Sequence, residues 1–291
     1  MDCQSGLFDS DVTAFTGDVS NAEQLQAAAR GADVIVHLAA LLHITDPPPA
    51  LRREYERINI GGTAAVLDAA KGLGIRRVVL VSTIAVYGPA GGVLLDETAT
   101  PRPNTFYAQT KLAAERLALD ARLSDNRPFA TVLRPAAVYG ARVKGNYQRL
   151  VQALARRRFV PVGPGENRRT LVHEDDLASA IALAAAHPDA PGRVYNVTDG
   201  TTHTMREIIA AICAGLGRRP PRWRAPVAPI RAALSVAGIL NPRFMRALDT
   251  YLEDVAVSGD RIRRELGFES RVGLIDGWAR TIAEMRRARV L

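Results

Sequence analysis

The sequence predicts an α/β protein built on a parallel sheet, and three apolar runs support this. Val78–Val81 is a continuous apolar, β-branched run, which is typical of a strand buried on both faces of a parallel sheet. A similar run, Asp33–Leu38, precedes it, and another, Phe129–Arg134, follows it. Helical patterns lie between the runs, as crossovers between parallel strands require.

Composition places the chain among soluble globular proteins. Its 291 residues suffice for one large domain or two small ones, and 47% of them are hydrophobic while 23% are charged. The sequence shows neither a signal peptide nor an apolar run near the roughly 18 residues of a membrane span, so stable membrane insertion is not expected. The expected compartment is the cytoplasm.

Cysteines, histidines and charge narrow the function classes. Only Cys3 and Cys213 occur, and the five histidines lack metal-ligand spacing, so no disulfide framework and no metal site are expected. The formal net charge is +8, and arginines cluster at 156–158 and 218–224. Because only 5% of residues are aromatic and no nucleic-acid motif is present, most arginines are interpreted as solvated helix faces. A few arginines are expected to bind a diphosphate. Nucleic acid is not an expected partner.

The most informative stretch links the Val78–Val81 strand to the helix that follows it. Ser82 and Thr83 lie where this strand ends, and ligands bind at the carboxyl ends of strands in open α/β sheets. Tyr107 and Lys111 are four residues apart, so they share one helical face. An ammonium beside a phenol favours the phenolate. A hydroxyl, a phenol and an ammonium together could take a proton from an alcohol as hydride leaves its carbon.

Several other elements can be predicted from local patterns. Before the central stretch, these are a strand at Val12–Thr16 and a helix at Asn21–Arg30 with Ser20 as its N-cap. After it, they are a helix from Asn146 to Arg158, a short strand at Phe159–Val162, a returning strand at Tyr195–Val197 and a helix with a Thr204–Glu207 capping box.

Short motifs follow one another along the chain. They are Gly-Asp-Val at 17–19, His-Leu-Ala-Ala at 37–40, Asn-x-x-Gly-Thr at 59–63, Tyr-x-x-x-Lys at 107–111, Arg-Pro-x-x-Val-Tyr-Gly at 134–140 and the segment 167–178 around Arg169. With them the chain resembles the extended short-chain dehydrogenases/reductases, the NAD-dependent epimerase/dehydratase family, and most closely its UDP-glucose 4-epimerase-like branch. The resemblance extends from Asp18 to about Met285.

The resemblance implies a Rossmann-like, doubly wound parallel sheet with a smaller C-terminal substrate domain. NAD binding is expected in residues 1–140, and substrate binding mainly in residues 141–291, with segments near 170–200 returning to the Rossmann core. The apolar stretch Ile230–Leu240 is expected to be a lid or packing helix of the substrate domain. Whether the chain forms a homodimer stays open.

The resemblance also implies roles for individual residues. Thr83, Tyr107 and Lys111 would be the catalytic Ser/Thr, Tyr and Lys. A nucleotide-diphosphate sugar would contact Thr83, Tyr107, Asn146 and Arg169, because a guanidinium fork such as that of Arg169 matches phosphate oxygens. NAD would contact Asp18, Val19, Leu38, Ala39, Ala40, Asn59, Tyr107, Lys111, Pro135 and Val138. Asn59 would hold the cofactor loop in place, and His37 is expected to be structural.

The start of the sequence departs from the family pattern. A Gly-x-x-Gly-x-x-Gly turn that opens a helix would receive the pyrophosphate, and residues 1–20 do not contain it. We expect the upstream reading frame to encode roughly 40–60 residues with this βαβ opening. The chain as given is expected to bind dinucleotide weakly and to be marginally stable. The residue that distinguishes NAD from NADP would also lie upstream, so NAD is expected and NADP stays open.

The residues after Thr83 favour one reaction of the family over others. Dehydratases that the chain resembles carry Asp-Glu directly after the catalytic Thr, and related decarboxylases carry Glu at the second of these positions. Ile84 and Ala85 stand there instead and have no proton to transfer. C4 epimerisation of a UDP-sugar through a transient 4-keto intermediate is therefore the first interpretation. A sugar 4-reductase, a 3β-hydroxysteroid-type dehydrogenase and a non-catalytic nucleotide-binding scaffold stay open.

Overall fold

The computed structural model describes residues 12–41, 47–142, 145–236 and 248–291, without the side chains of 233–236. The chain divides into two compact units. Unit 1 takes in the chain up to Gly88 together with Pro101–Arg134 and Ile181–Tyr195. Unit 2 takes in Pro89–Thr100, Pro135–Ala180 and Asn196–Leu291. The expected division between cofactor and substrate binding at residue 140 stays a prediction.

Unit 1 is organised around parallel strands. β1 (Ile35–His37) pairs with β2 (Val78–Val81), which pairs with β3 (Ala130–Pro135), and β6 (Val194–Val197) completes the order β1-β2-β3-β6. The register places Ile35 opposite Val78 and Val78 opposite Ala130. The three apolar runs of the sequence thus form the predicted parallel sheet, because side chains of the central strands are buried on both faces.

Helices precede β1 and connect the strands along the chain. They are α1 (Ala22–Ala29), α2 (Pro49–Tyr55), a π-helical turn (Glu56–Gly61), α3 (Gly62–Gly72), α4 (Phe106–Asp120) and α6 (Glu174–Ala186), which enters the unit at Ile181. The Thr105 side chain caps α4 by accepting a hydrogen bond from the Ala108 amide at 3.2 Å. Apolar residues of α3, α4, β2 and β3 form the core of unit 1.

Unit 2 holds a small mixed sheet. β4 (Ala137–Tyr139) runs parallel to β5 (Arg168–His173), which pairs antiparallel with β7 (Thr202–Thr204). Its helices are α5 (Asn146–Ala155), α7 (Met205–Gly215), α8 (Val227–Val236), α9 (Asp260–Leu266) and α10 (Leu274–Arg287). The predicted capping box of Thr204 and Glu207 is present at α7. Trp278 lies in the core of this unit, stacked on Tyr139 with ring centroids 4.5 Å apart.

The structure corrects several local predictions. Residues 12–16 form no strand within the described residues, because alternation alone supplies no neighbouring strand to bond with. The N-cap of α1 is Asn21, not Ser20, and its side chain accepts from the Gln24 amide. The expected strand at 159–162 is reduced to one bridge between Val162 and Ala225.

Two predicted helices have bounds that differ from the prediction or run beyond the described residues. The helix predicted from Asn146 to Arg158 ends at Ala155. Ile230–Leu240 is helical up to Val236, and residues 237–240 lie outside the described part of the chain. No helix among the described residues is long and apolar enough to cross a bilayer.

Candidate active site

Lys111 places an ammonium at the carboxyl end of β2. Its side chain projects from the second turn of α4, and Nζ donates a hydrogen bond to the Val81 carbonyl at 2.8 Å. The residue is only 2% exposed, and burial lowers the pKa of the ammonium to about 8, against the raising effect of Glu115. Lys111 is therefore mostly charged at neutral pH, close to the hydroxyl residues that end the strand.

Tyr107 lies one turn earlier on the same helix and is 7% exposed. Burial raises the pKa of its phenol to about 12, and nearby Tyr55 adds to the rise. The sequence argument expected the Lys111 ammonium to favour the phenolate. That expectation is wrong for this structure, because desolvation of the phenol dominates and the ammonium is directed at the Val81 carbonyl. Tyr107 is thus a proton donor at neutral pH.

Thr83 begins the turn that follows β2. Its Oγ1 accepts a hydrogen bond from the Ala85 amide at 3.1 Å and caps the 3-10 helix Ile84–Tyr87. The hydroxyl is half-buried and keeps its own proton for a further acceptor. The side chains of Ile84 and Ala85, the next two residues, carry no ionisable group.

Asn59 fixes the loop that follows β1. Its Oδ1 accepts from the Leu41 amide at 2.7 Å, and its Nδ2 donates to the Leu41 carbonyl at 3.3 Å and to Thr110 Oγ1 at 3.0 Å. Since Thr110 lies on α4, this buried amide links the segment 38–41 to the helix of Tyr107 and Lys111. The scaffold role expected of Asn59 matches these bonds.

His37 ends β1 and is buried, with its Nε2 3.1 Å from Thr63 Oγ1. Burial lowers the pKa of this imidazole to about 4, and the positive charge of Lys111 adds to the fall. His37 is thus a buried, neutral histidine with a hydroxyl partner. This is consistent with the structural role that the sequence analysis expected of it. The three residues after His37 are more exposed than it is. Leu38 is 60% exposed, and Ala39 and Ala40 are half-buried.

A buried ionic network, which sequence reasoning missed, supports this region. Glu115 receives hydrogen bonds from Ser82 Oγ and from the guanidinium of Arg134, with Arg134 Nη2 2.6 Å from Glu115 Oε2. The guanidinium also lies over the ring of Tyr87, 4.8 Å from its centroid. The signal was in the sequence, since Glu115 follows Lys111 by four residues and therefore shares its helical face.

Asp18 and Val19 lie at the start of the described chain in unit 1. Asp18 Oδ1 accepts from the amide and hydroxyl of Ser20, and Oδ2 is 2.7 Å from Nη1 of Arg57. The Ser20 hydrogen bonds and the Arg57 guanidinium hold the pKa of Asp18 at about 2. Val19 packs so closely on Gly62 that a Cβ at Gly62 would lie 2.7 Å from a Val19 methyl.

The remaining predicted residues belong to unit 2. Arg169 is 7% exposed, and its Nη2 donates to the carbonyls of Thr250 and Tyr251. Nη1 and Nε donate no hydrogen bond to the described residues. Asn146 is the exposed first residue of α5, and Pro135 and Val138 lie at the start of the segment that contains β4.

Residues of unit 1 fit a nicotinamide dinucleotide. The carboxyl ends of β1 and β2 bring small residues and a pinned loop to the same sheet edge as Thr83 and Lys111. The exposed Leu38 offers apolar surface there. A buried ammonium beside a hydroxyl at this edge is a donor set suited to ribose and phosphate oxygens.

Comparisons with known proteins agree with this geometry. A family model described as the NAD dependent epimerase/dehydratase family matches residues 4–198. Over 270 residues the chain is 31% identical to the 4-hydroxy-2-methyl-3-oxo-4-farnesyl-3,4-dihydroquinoline-1-oxide ketoreductase of Stigmatella aurantiaca, with 88% of this chain and 78% of the relative covered. Over 215 residues it is 28% identical to the UDP-glucose 4-epimerase of Vibrio cholerae, with 72% and 65% covered.

A solved structure gives the same result. MoeE5 in complex with UDP-glucuronic acid and NAD is 28% identical, with a TM-score of 0.72 and with 94% of this chain and 85% of that chain covered. The predicted Rossmann-like α/β class is confirmed, as is NAD as the cofactor of the family. Members of the family are epimerases, dehydratases and oxidoreductases. The chain belongs to the NAD-dependent epimerase/dehydratase family.

Proposed function

We propose that this chain catalyses the C4 epimerisation of a nucleotide-diphosphate sugar, with a UDP-sugar as the first substrate to test. The observation that carries the proposal is the turn after Thr83. Its first two residues, Ile84 and Ala85, cannot give or take a proton, so this turn supplies no acid or base for elimination from a 4-keto sugar. Reduction of the ketone from its other face then gives the C4 epimer.

Tyr107 would exchange the proton of the sugar hydroxyl. Its raised pKa suits the step in which the ketone is reduced and the new alkoxide must be protonated. In the oxidation step the same oxygen must accept a proton, and its raised pKa makes it a strong base once it is deprotonated. One group thus serves as acid and as base in the two halves of the reaction.

The redox chemistry would come from NAD, which when bound accepts a hydride from the sugar carbon and returns it. This chain's own residues would position the substrate and the cofactor loop and stabilise the sugar oxygen. Thr83 Oγ1 would donate its proton to the sugar oxygen while accepting from the Ala85 amide. Asn59 would keep the segment 38–41 in place, because its three hydrogen bonds link that loop to α4.

Arg169 would bind the diphosphate. Its Nη2 holds the 250–251 backbone, which orients the guanidinium, and Nη1 and Nε are the two groups that would meet phosphate oxygens. Such a contact exists in the bound substrate and in the transition state alike. It therefore contributes to substrate affinity more than to turnover.

The stoichiometry of the cofactor tests the reaction class. Purified protein with UDP-glucose and NAD is expected to form UDP-galactose without accumulating NADH, which chromatography of the sugar nucleotides and absorbance of the cofactor would follow. Formation of a 4-keto-6-deoxy sugar would contradict the proposal. Loss of sugar nucleotide together with equivalent NADH would show an oxidoreductase instead.

Paired variants test the residue roles. Tyr107→Phe should lower turnover about 10²–10⁴-fold with little change in substrate binding, because only the proton-transfer group is lost. The control is Tyr139→Phe, whose hydroxyl has no hydrogen-bond partner among the described residues. Arg169→Ala should raise KM much more than it lowers turnover, and the control is its exposed neighbour Arg168→Ala. Wild-type turnover in Tyr107→Phe would refute the catalytic assignment.

A ketone reductase is the second candidate, favoured by the 31% identity to the Stigmatella aurantiaca ketoreductase. The same Thr83, Tyr107 and Lys111 would protonate an alkoxide during net reduction. Oxidation of NADH or NADPH by a hydrophobic cyclic ketone, with no epimerisation of UDP-sugars, would support this candidate. A protein that binds nucleotide but turns over neither substrate class would be a non-catalytic scaffold.

A further inference from the structure

Two short segments of unit 2 lie side by side and carry an unusual set of exposed side chains. Arg218 Nη1 donates to the Leu154 and Ala155 carbonyls, and a parallel bridge joins Val162 to Ala225. The same spacing of 63 residues separates Ala155 from Arg218 and Val162 from Ala225. The segments 156–162 and 218–225 therefore contact each other at the bridge and, through the Arg218 side chain, next to the end of α5.

Val160 and Trp223 each lie two residues before the bridged residue of their segment. Trp223 is 68% exposed, the largest value among the exposed large apolar side chains of the described residues, and Val160 is 49% exposed. Isolated apolar residues at a surface need no explanation, but here an exposed tryptophan and an exposed valine lie on two segments that contact each other. The amphipathic indole is suited to the interface between headgroups and acyl chains.

Arginines precede both apolar residues along the two segments. Exposed Arg156, Arg157 and Arg158 precede Val160, and exposed Arg218, Arg219 and Arg222 precede Trp223. Arg286, at the end of α10, joins Arg156 and Arg218 around a cavity of about 270 Å³. None of these seven arginines forms an ion pair with a carboxylate in the part of the chain that the structure describes. Residues 141–165 and 208–248 contain no Asp or Glu, so the two segments themselves carry no acidic residue.

We propose that this surface, the paired segments 156–162 and 218–225, docks on membranes that contain anionic phospholipids. The arginines would meet lipid phosphates, and Trp223 with Val160 would enter the headgroup region. Nucleic acid is the other polyanion that such a surface could meet, but a phosphate backbone offers nothing for the aliphatic Val160. The proposal needs neither the substrate nor the cofactor, so it stands apart from the proposed reaction.

The tryptophan content makes docking directly measurable. The chain has two tryptophans, and Trp278 is buried at 1% exposure against Tyr139. A change of emission on adding vesicles therefore reports Trp223. We expect a blue shift and protection from acrylamide with vesicles in which roughly a third of the phosphatidylcholine is replaced by phosphatidylglycerol. Pure phosphatidylcholine vesicles should give no shift, and high salt should reverse it.

Charge reversal at matched positions tests the location of the surface. Arg157→Glu/Arg219→Glu should lower the vesicle partition coefficient at least about 25-fold, since each basic residue near an anionic bilayer contributes roughly fivefold. Arg30→Glu/Arg264→Glu changes the net charge equally at exposed sites elsewhere and should stay within about twofold of wild type. Trp223→Ala should abolish the emission shift and weaken flotation with vesicles. Circular dichroism would confirm that all variants are folded.

Three results would overturn the proposal. The first is wild-type protein that does not float with phosphatidylglycerol vesicles at low salt. The second is an equal loss of partition in both double variants, which would show a general effect of net charge. The third is salt-dependent binding to duplex DNA or single-stranded RNA without vesicle binding, which would assign the surface to nucleic acid.

Discussion

At the scale of single residues, Lys111 illustrates a conflict between stability and chemistry. Its ammonium is buried, and burial lowers its pKa to about 8, so charging it at neutral pH opposes folding. Because the folded-state pKa lies below the ordinary value of 10.5, this cost is complete below pH 8 and disappears as pH rises through about 10.5.

We therefore expect Lys111→Met to stabilise the protein while it abolishes turnover. Removing the buried charge raises the free energy of unfolding. Leaving the Val81 carbonyl without its donor cancels part of this rise, so the net gain in the free energy of unfolding is about 1–2 kcal/mol. Urea unfolding at neutral pH would measure this gain, with the exposed Lys71→Met as control. A destabilised Lys111→Met would show that the hydrogen bond outweighs the desolvation.

His37 predicts a loss of stability in mild acid. Burial lowers its folded-state pKa from 6.5 to about 4, so the unfolded chain takes up a proton between these values and the folded chain does not. Stability is complete above pH 6.5 and falls as pH decreases toward 4, by on the order of 3 kcal/mol from this group. His37→Gln should flatten this part of the pH profile, and His187→Gln, at a half-buried histidine, is the control variant.

At the scale of elements, the buried pair of Glu115 and Arg134 joins α4 to β3, and Ser82 adds the end of β2. Glu115→Leu or Arg134→Met should each cost about 3–5 kcal/mol, because one buried charge is left without its partner. The double variant Glu115→Leu/Arg134→Met should recover most of this loss. Unfolding by urea closes the cycle, and strictly additive losses would argue against a coupled pair.

The elements also show what the sequence could and could not predict. The strands at Val78–Val81 and around Phe129–Arg134 and the cap of α7 were predictable, because burial on both faces and capping leave local patterns. The strand predicted at 12–16 was wrong, since pairing depends on a distant neighbour. The phenol of Tyr107 was misjudged because a sequence gives spacing between charges but not the extent of desolvation.

At the scale of the whole molecule, each unit has its own hydrophobic core. In unit 1 the core includes Leu80, and in unit 2 it includes Ile212 and Trp278. Both tryptophans of the chain belong to unit 2, so their fluorescence reports the unfolding of that unit alone. Far-ultraviolet circular dichroism reports helices and strands of both units.

This distribution predicts different effects for equivalent truncations in the two cores. Leu80→Ala and Ile212→Ala each remove a buried aliphatic side chain and should each cost about 2–5 kcal/mol. Ile212→Ala should lower the urea midpoint of tryptophan fluorescence. Leu80→Ala should instead make part of the circular dichroism transition occur at lower urea than the fluorescence transition. If both variants shift both signals equally, the chain unfolds in one cooperative step, and its two cores do not act as separate units of stability.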